Sequence, residues 1–330
     1  MLLYNVVIIK IIYDIYSKIS TDELIIIMKP YISVIICTHN PRKDYIERVL
    51  KALASQTIVF HLWELIFVDN ASEKVLYSEI NLDWHPFSRH FREEKLGLTS
   101  ARICGINHAT ADILVFVDDD NVLDSNYLEN VLQISQKFPM LGAWGGQSIG
   151  EYEKPLPNWA TQHLALIGVR KVPYTQWSNL PYQNSTTPFG AGLCIRKIVA
   201  EKYASVILND SRRVNLGRIG NTLSSCEDTD MALTACDIGL GTGVFTSLNF
   251  IHLIPASRLT KKYFLNLMEK MHYSATLLSQ IRGTFDYPIK TKLLDLFRLY
   301  TRIGINKKFL AAYLRGKNQA IRDYKSWGIK

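Results

Sequence analysis

The first 140 residues alternate between nearly unbroken apolar runs and amphipathic stretches. Ile32 to Cys37 (ISVIIC), Leu65 to Val68 (LIFV) and Ile113 to Val117 (ILVFV) are short and rich in β-branched residues. That pattern predicts strands buried on both faces of a parallel sheet. Between them, Asp44 to Ser55 places Ile46, Val49, Leu50 and Leu53 on one helical face. A further strand is expected near Phe87 to Phe91, a helix from about Thr99 to His108, and another over Ser125 to Lys137, capped by Asp124 or Ser125. Strand followed by helix with short connections predicts an α/β fold with a doubly wound, mostly parallel, Rossmann-like sheet. In such a sheet the polar residues at strand C-termini converge on one crevice. Thr38, Asp69 and Asp118 stand at such ends.

The pattern weakens from Gly142 to Pro188, where Trp144, Trp159 and Trp177 lie among many Gly and Pro, and it predicts loops over a cleft. Helix returns at Lys197 to Ala204 and Glu227 to Cys236, while GLGTG at Gly239 to Gly243 follows a helix and predicts a turn. Beyond Leu259 the chain is helical in pattern, with apolar positions such as Leu293, Leu294, Leu296, Phe297 and Tyr300 broken by Lys and Arg. Three segments follow: an N-terminal apolar extension (1–30), an α/β domain (31–258) and a basic helical C-terminal extension (259–330).

Charge sharpens the last boundary. From Arg258 to Lys330 there are 16 Lys and Arg against 4 Asp and Glu, a net +12, so the remainder carries −4 of the total +8. A basic tail dotted with aromatics suits an anionic surface, whether nucleic acid, phosphate-bearing substrate or the inner leaflet of a membrane; it is equally what a solvated helical face looks like. In residues 2–27 the apolar stretches are interrupted by Lys10, Asp14 and Lys18. None reaches the roughly 20 residues that span a bilayer, and no cleavage site of a secretory signal is present. The segment reads as an amphipathic helix, or else translation begins naturally at Met28. Five widely spaced cysteines without CxxC spacing predict a reduced, cytoplasmic setting.

Three adjacent aspartates, Asp118 to Asp120, end the third apolar run. Each close pair of carboxylates repels by about 4 kcal/mol at an effective dielectric near 20, so the cluster wants a cation. Hard oxygen donors in small number suit Mg²⁺ or Mn²⁺. Alone, the triplet could as well be an acidic turn capping the next helix. Likewise Glu227, Asp228 and Asp230 could simply favour a helix N-terminus.

Taken in order, ISVIICTHN, LIFVDNAS, EEKLGLTSARICGINHA, DILVFVDDDN and CEDTDMAL resemble the blocks of the family-2 glycosyltransferases, inverting enzymes of GT-A fold. The resemblance runs from about Ile32 to Arg258. It implies that Thr38 and Asn40 line a nucleotide base pocket, that Asp69 contacts the base and that Arg102 lies near the nucleotide; Ile103 stands where the family usually has asparagine. It makes Asp118 and Asp120 the ends of a DxD motif, with Asp120 a metal ligand and Asp118 or Asp119 facing the ribose. Glu227 and Asp228 match the family's acidic pair, Asp228 being the catalytic base, and His252 matches a metal-binding histidine with Arg258 near the diphosphate. Phe189 to Gly192 (FGAG) resembles the glycine turn that lets backbone approach sugar or acceptor.

The expectation is therefore transfer from a nucleoside-diphosphate sugar, with a UDP-sugar preferred, to a saccharide or lipid-linked acceptor in cell-surface polysaccharide synthesis, assisted by Mn²⁺ or Mg²⁺. Without a QxxRW motif or membrane helices of a processive synthase, transfer of single residues is preferred. No nucleic-acid partner is expected, and the basic tail predicts peripheral contact with the inner membrane face. The competing readings are a nucleotidyltransferase acting on sugar phosphates and a non-catalytic nucleotide-sugar binding protein.

Overall fold

A computed structural model describes residues 29–327 apart from 182, 184, 211 and 221; the expectations for the apolar segment before residue 29 lie outside the described residues. Strands β1 (Ile32–Thr38), β2 (Trp63–Asn70) and β4 (Ile113–Val117) are buried at every position, both along their apolar runs and at the hydrogen-bonded polar residues Ser33, Thr38, Glu64, Asp69 and Asn70. They form a parallel ladder with β3 (Ser88–Glu93) in the order β3-β2-β1-β4. Helices cover both faces. Val34, Ile36, Phe67 and Val115 pack against α1 (Lys43–Ala54) and α3 (Tyr127–Lys137). On the other side Ile35, Ile66, Leu114 and Phe116 meet α2 (Leu98–His108), α4 (Lys197–Asn209) and α5 (Glu227–Asp237). This alternation along each strand makes the sheet doubly wound.

The second half of the nine-stranded sheet is mixed. β8 (Cys194–Arg196) runs antiparallel to both β4 and β6 (Leu141–Tyr152), β6 pairs in parallel with β9 (Gly241–Ile254), and β5 (Asn121–Leu123) and β7 (Gln176–Ser178) run antiparallel to β9. Here the structure departs from the expected loops between Gly142 and Pro188. β6 is a strand of 12 residues whose glycines hide it from a propensity argument. They are needed sterically: a Cβ at Gly146 would sit 1.9 Å from the Leu248 carbonyl oxygen on β9. Within GLGTG only Gly239, at φ +82°, serves a turn, and Gly241 already begins β9. Nor does Asp124 or Ser125 cap α3: Asn126 precedes the helix without a side-chain cap bond, and the Asp124 carbonyl accepts from Tyr127 N at 3.0 Å.

The C-terminal region comprises α6 (Lys261–Ile281), α7 (Ile289–Thr301) and α8 (Gly304–Ser326). Thr260 caps α6 by accepting from Tyr263 N at 3.2 Å. α8 packs closely along α6 because Gly316 has no side chain; a Cβ there would lie 2.0 Å from the Glu269 carbonyl oxygen. Phe264, Leu267 and Phe309 bury themselves with Ala160, Ile167 and Ile254, which fastens the helices to the α/β body. No helix among the described residues is long and apolar enough to cross a membrane.

Candidate active site

The parallel register brings the C-terminal ends of β1, β2 and β4 level, with Thr38 opposite Asp69 and Ile36 opposite Val117. Two residues beyond that pair on each strand, the Thr38 hydroxyl donates to Asp119 Oδ2. Above these ends opens a cleft of about 440 Å³, lined by Thr38, Arg102, Asp118 to Asp120, Gly190, Glu227, Asp228, His252 and Arg258. Its size is that of an ordinary small-molecule site.

At one end stands Asp120, buried, with three partners. Its Oδ2 accepts from Arg258 Nη1 at 2.9 Å and lies 3.4 Å from His252 Nε2, and its Oδ1 accepts from Asn121 Nδ2 at 3.0 Å. The antiparallel pairing of Asn121 with His252 across β5 and β9 builds this contact. Burial alone would raise the Asp120 carboxyl, but His252 and Arg258 hold it well below the usual carboxylate range. Burial, with Asp120 and Asp118 adding to it, pushes Asp119 up to about 7 against the Thr38 hydrogen bond. Gly168, at φ +72°, lets its loop approach His252: a Cβ there would lie 3.0 Å from the imidazole Cε1.

At the other end, α5 opens with Glu227 and Asp228. Asp228 Oδ2 accepts from the Gly190 backbone N–H at 2.7 Å, and its Oδ1 accepts from Thr229 N at 2.7 Å. A Cβ on Gly190 would stand 2.7 Å from that same Oδ2, so the glycine turn and the carboxylate fit only together. Arg102, 2% exposed, joins the two ends. Its Nη1 donates to Glu227 Oε1 at 3.1 Å, its Nη2 lies 3.5 Å from Asp118 Oδ1, and its guanidinium faces the Phe116 ring at 5.3 Å. Burial, then Asp228, pushes Glu227 up to about 7 in spite of Arg102, because one guanidinium serves several carboxylates.

Two expected base-pocket residues do not face the cleft. Asp69 spends its oxygens on Ser72 N at 3.0 Å, Leu76 N at 3.1 Å and Arg92 Nη1 at 2.6 Å, which folds the loop after β2. Asn40, at φ 49°, receives Glu73 N on its Oδ1 at 2.9 Å and donates its own N–H to Ser72 Oγ at 2.9 Å. The cleft wall there is made by His39 and Asn70 instead. His39 Nδ1–H donates to the Asn70 carbonyl at 2.8 Å, and Asn70 Nδ2 donates to Glu93 and Lys95 carbonyls at 3.1 and 2.9 Å. Period-2 alternation places Asp69 and Asn70 on opposite faces of β2 but does not tell which face borders the cleft.

No cluster of three or more His, Cys, Asp or Glu forms a complete metal cage among the described residues. Asp120 Oδ2 and His252 Nε2 nevertheless converge to 3.4 Å, near the spacing of about 3 Å between adjacent ligands of a small octahedral cation. Two protein donors suit Mg²⁺ or Mn²⁺, which take further ligands from water and substrate phosphate. The cleft also holds five carboxylates, Asp118 to Asp120, Glu227 and Asp228, against the guanidiniums of Arg102, Arg218 and Arg258. A divalent cation fits that imbalance.

The family model described as glycosyl transferase family 2 matches residues 33–203. A Drosophila melanogaster protein named polypeptide N-acetylgalactosaminyltransferase 8 is 33% identical over 31% of this chain and 18% of its own length. An inactive polypeptide N-acetylgalactosaminyltransferase-like protein 5 from Macaca fascicularis is 30% identical over 34% of this chain and 26% of its own. Glycosyltransferase AglE of Haloferax volcanii is 30% identical over 30% of this chain and 34% of its own. The chain thus spans about a third or less of these relatives. Among solved structures, S. aureus TarS 1-349 in complex with UDP-GlcNAc superposes with a TM-score of 0.50 at 15% identity, covering 88% of this chain and 72% of that one. At that identity the likeness concerns the fold.

Proposed function

The chain belongs to glycosyl transferase family 2, and from that premise we propose that it moves a sugar from a nucleoside-diphosphate sugar to an acceptor hydroxyl with inversion at the anomeric carbon. The observation that carries the reading is the division of one cleft into a cation end, Asp120 with His252 and Arg258, and a base end, Asp228 oriented by Gly190. When bound, a divalent cation held by Asp120 and His252 would neutralise charge gathering on the departing diphosphate. Arg258, on the same carboxylate, is positioned to attract the diphosphate oxygens. Asp228 takes the proton of the acceptor hydroxyl while that oxygen bonds to the anomeric carbon and the carbon–diphosphate bond breaks. The Gly190 hydrogen bond fixes the carboxylate for that proton transfer, and general-base catalysis of this kind contributes roughly 10²- to 10⁴-fold. Asp118 or Asp119 faces the ribose, with Thr38 and Arg102 supporting the pair.

A UDP-sugar is the first donor to try, and a saccharide or lipid-linked saccharide of the cell surface, used in the cytoplasm, is the acceptor class in this reading. The test pairs calorimetry with a transfer assay across UDP-sugars, with and without Mn²⁺. Asp228→Asn should keep Mn²⁺-dependent nucleotide binding and lose transfer; turnover near that of the parent would remove Asp228 from its role. Asp120→Asn should lose the Mn²⁺ dependence of nucleotide binding. Nucleotide binding with no transfer by the parent chain, across donors and acceptors, would favour a non-catalytic binder.

A further inference from the structure

α7 is built inside out. Surface helices ordinarily turn their apolar stripe to the core and their charges to water. In α7 the sole buried residue is Asp295, which accepts from Tyr287 Oη at 2.9 Å and lies 3.5 Å from Lys317 Nζ on α8. Lys317 is itself buried, with its ammonium 3.4 Å from the Tyr287 ring centroid. The polar side is thus clamped to the protein through an ion pair and an aromatic ring. Ile289, Leu293, Leu296, Phe297 and Tyr300, with Ile303 just beyond, are 60–85% exposed. At about 100° per residue the five helical ones fall within an arc of roughly 100°, and Asp295 lies on the opposite side. Gly283 and Gly304, both at positive φ with no neighbour that a Cβ would meet, bound the segment.

Lys290 and Lys292 flank the apolar arc on its two sides. Residues 289–308 carry six Lys and Arg against the single acid Asp295, which is already paired inward. A second copy of this helix placed face to face would oppose like charges. An anionic lipid surface would instead turn the flanking Lys290 and Lys292 into attractions while the apolar arc enters the headgroup boundary; Arg298, 3.7 Å from Asp295, stays on the inward side.

We propose that α7 is a membrane-docking helix that lies in the interface of an anionic bilayer, its Leu293–Phe297–Tyr300 arc inserted and its lysines on lipid phosphates. This surface is distinct from the cleft and independent of the sugar-transfer reading.

The experiment co-sediments the full chain with vesicles of phosphatidylcholine alone and of phosphatidylcholine mixed with phosphatidylglycerol. The chain should prefer the anionic vesicles by at least about tenfold and release on adding salt. The doubles L293S/F297S and K290E/K292E should each weaken that binding at least about tenfold, with an unchanged unfolding midpoint and unchanged nucleotide affinity. These side chains are exposed, so folding does not depend on them. Failure of the parent chain to bind anionic vesicles, or undiminished binding by both doubles, would overturn the proposal. So would a dimer in sedimentation equilibrium that L293S/F297S dissociates while vesicle binding is unaffected.

Discussion

Arg102 Nη1 donates to Glu227 Oε1 at 3.1 Å across 125 positions of sequence, tying α2 to the first residue of α5. The same guanidinium lies 3.5 Å from Asp118, so one buried cation fixes both acidic ends of the cleft. Arg102→Met should therefore leave buried carboxylates uncompensated and cost about 3–5 kcal/mol in urea unfolding. Arg102→Lys should recover only part of this, because an ammonium cannot fork between two partners. A loss below about 1 kcal/mol in Arg102→Met would show that the pair contributes little.

Gly190→Ala tests whether the glycine turn and Asp228 are one device. The added methyl would meet Asp228 Oδ2 at 2.7 Å and Cβ at 2.8 Å, displacing the carboxylate. Transfer should fall by about 10²-fold or more, as expected when a base loses its orientation. Nucleotide binding should fall much less than transfer, since Asp120, His252 and Arg258 are untouched and the methyl meets Arg102 Nη2 only at 3.1 Å. Equal losses in both would point to collapse of the cleft instead.

The raised carboxyl of Glu227 predicts a pH dependence of stability. Its value climbs from 4.5 to about 7 on folding, so between those values this carboxyl holds more of a proton in the folded chain than in the unfolded one. The associated stability is full below the unfolded value and is lost as pH rises through about 7, with a slope of up to about 1.4 kcal/mol per pH unit. Burial lowers His85, His90, His163 and His272, which gives the parent an opposing slope over the same range, so the decline should appear in thermal unfolding without divalent cation as the difference between the parent and Glu227→Gln between about pH 5 and 7. Asp119, pushed up to about 7 as well, contributes equally to both proteins and cancels in that difference. Parallel profiles for the two proteins would refute the assignment to Glu227.

At Gly316 a methyl would enter the space of the Glu269 carbonyl, 2.0 Å away. Gly316→Ala should separate α8 from α6 and cost about 1–3 kcal/mol, read from the urea midpoint. Because α6 contributes Tyr263, Leu267 and Met271 to the cleft wall, donor affinity should weaken in parallel. Full stability and affinity in this variant would show that the helix contact can relax freely.

Much of the α/β half is legible in the sequence because burial on both faces leaves an unmistakable trace. Every residue of Ile113–Val117 is apolar, and every one is buried. β6 carries no such trace: its four glycines answer to the proximity of Ala235, Pro188, Leu248 and Tyr152, which lie far away in sequence or on the same bent strand. The aspartates at the end of β4 are readable as a charge cluster, whereas the pairing of Asp120 with Arg258 depends on the β5–β9 register, which no local pattern encodes. Asp69 shows the limit in the other direction. Its placement at a strand end was predictable, yet the backbone N–H groups of Ser72 and Leu76 claim its oxygens, and neighbouring Asn70 takes the cleft wall.

The long reach of the Asp120–Arg258 contact, 138 positions, also sets an order of events for a chain emerging from the ribosome. The acidic run leaves first, and its compensating cation and the strand bearing His252 follow more than a hundred residues later. Until then β4 ends in a repelling triplet without His252 or Arg258 to soften it, and non-local closures of this kind are slow steps in folding. The cation end of the cleft is thus a late product of synthesis, so a chain arrested before residue 252 would carry the acidic motif without the means to use it.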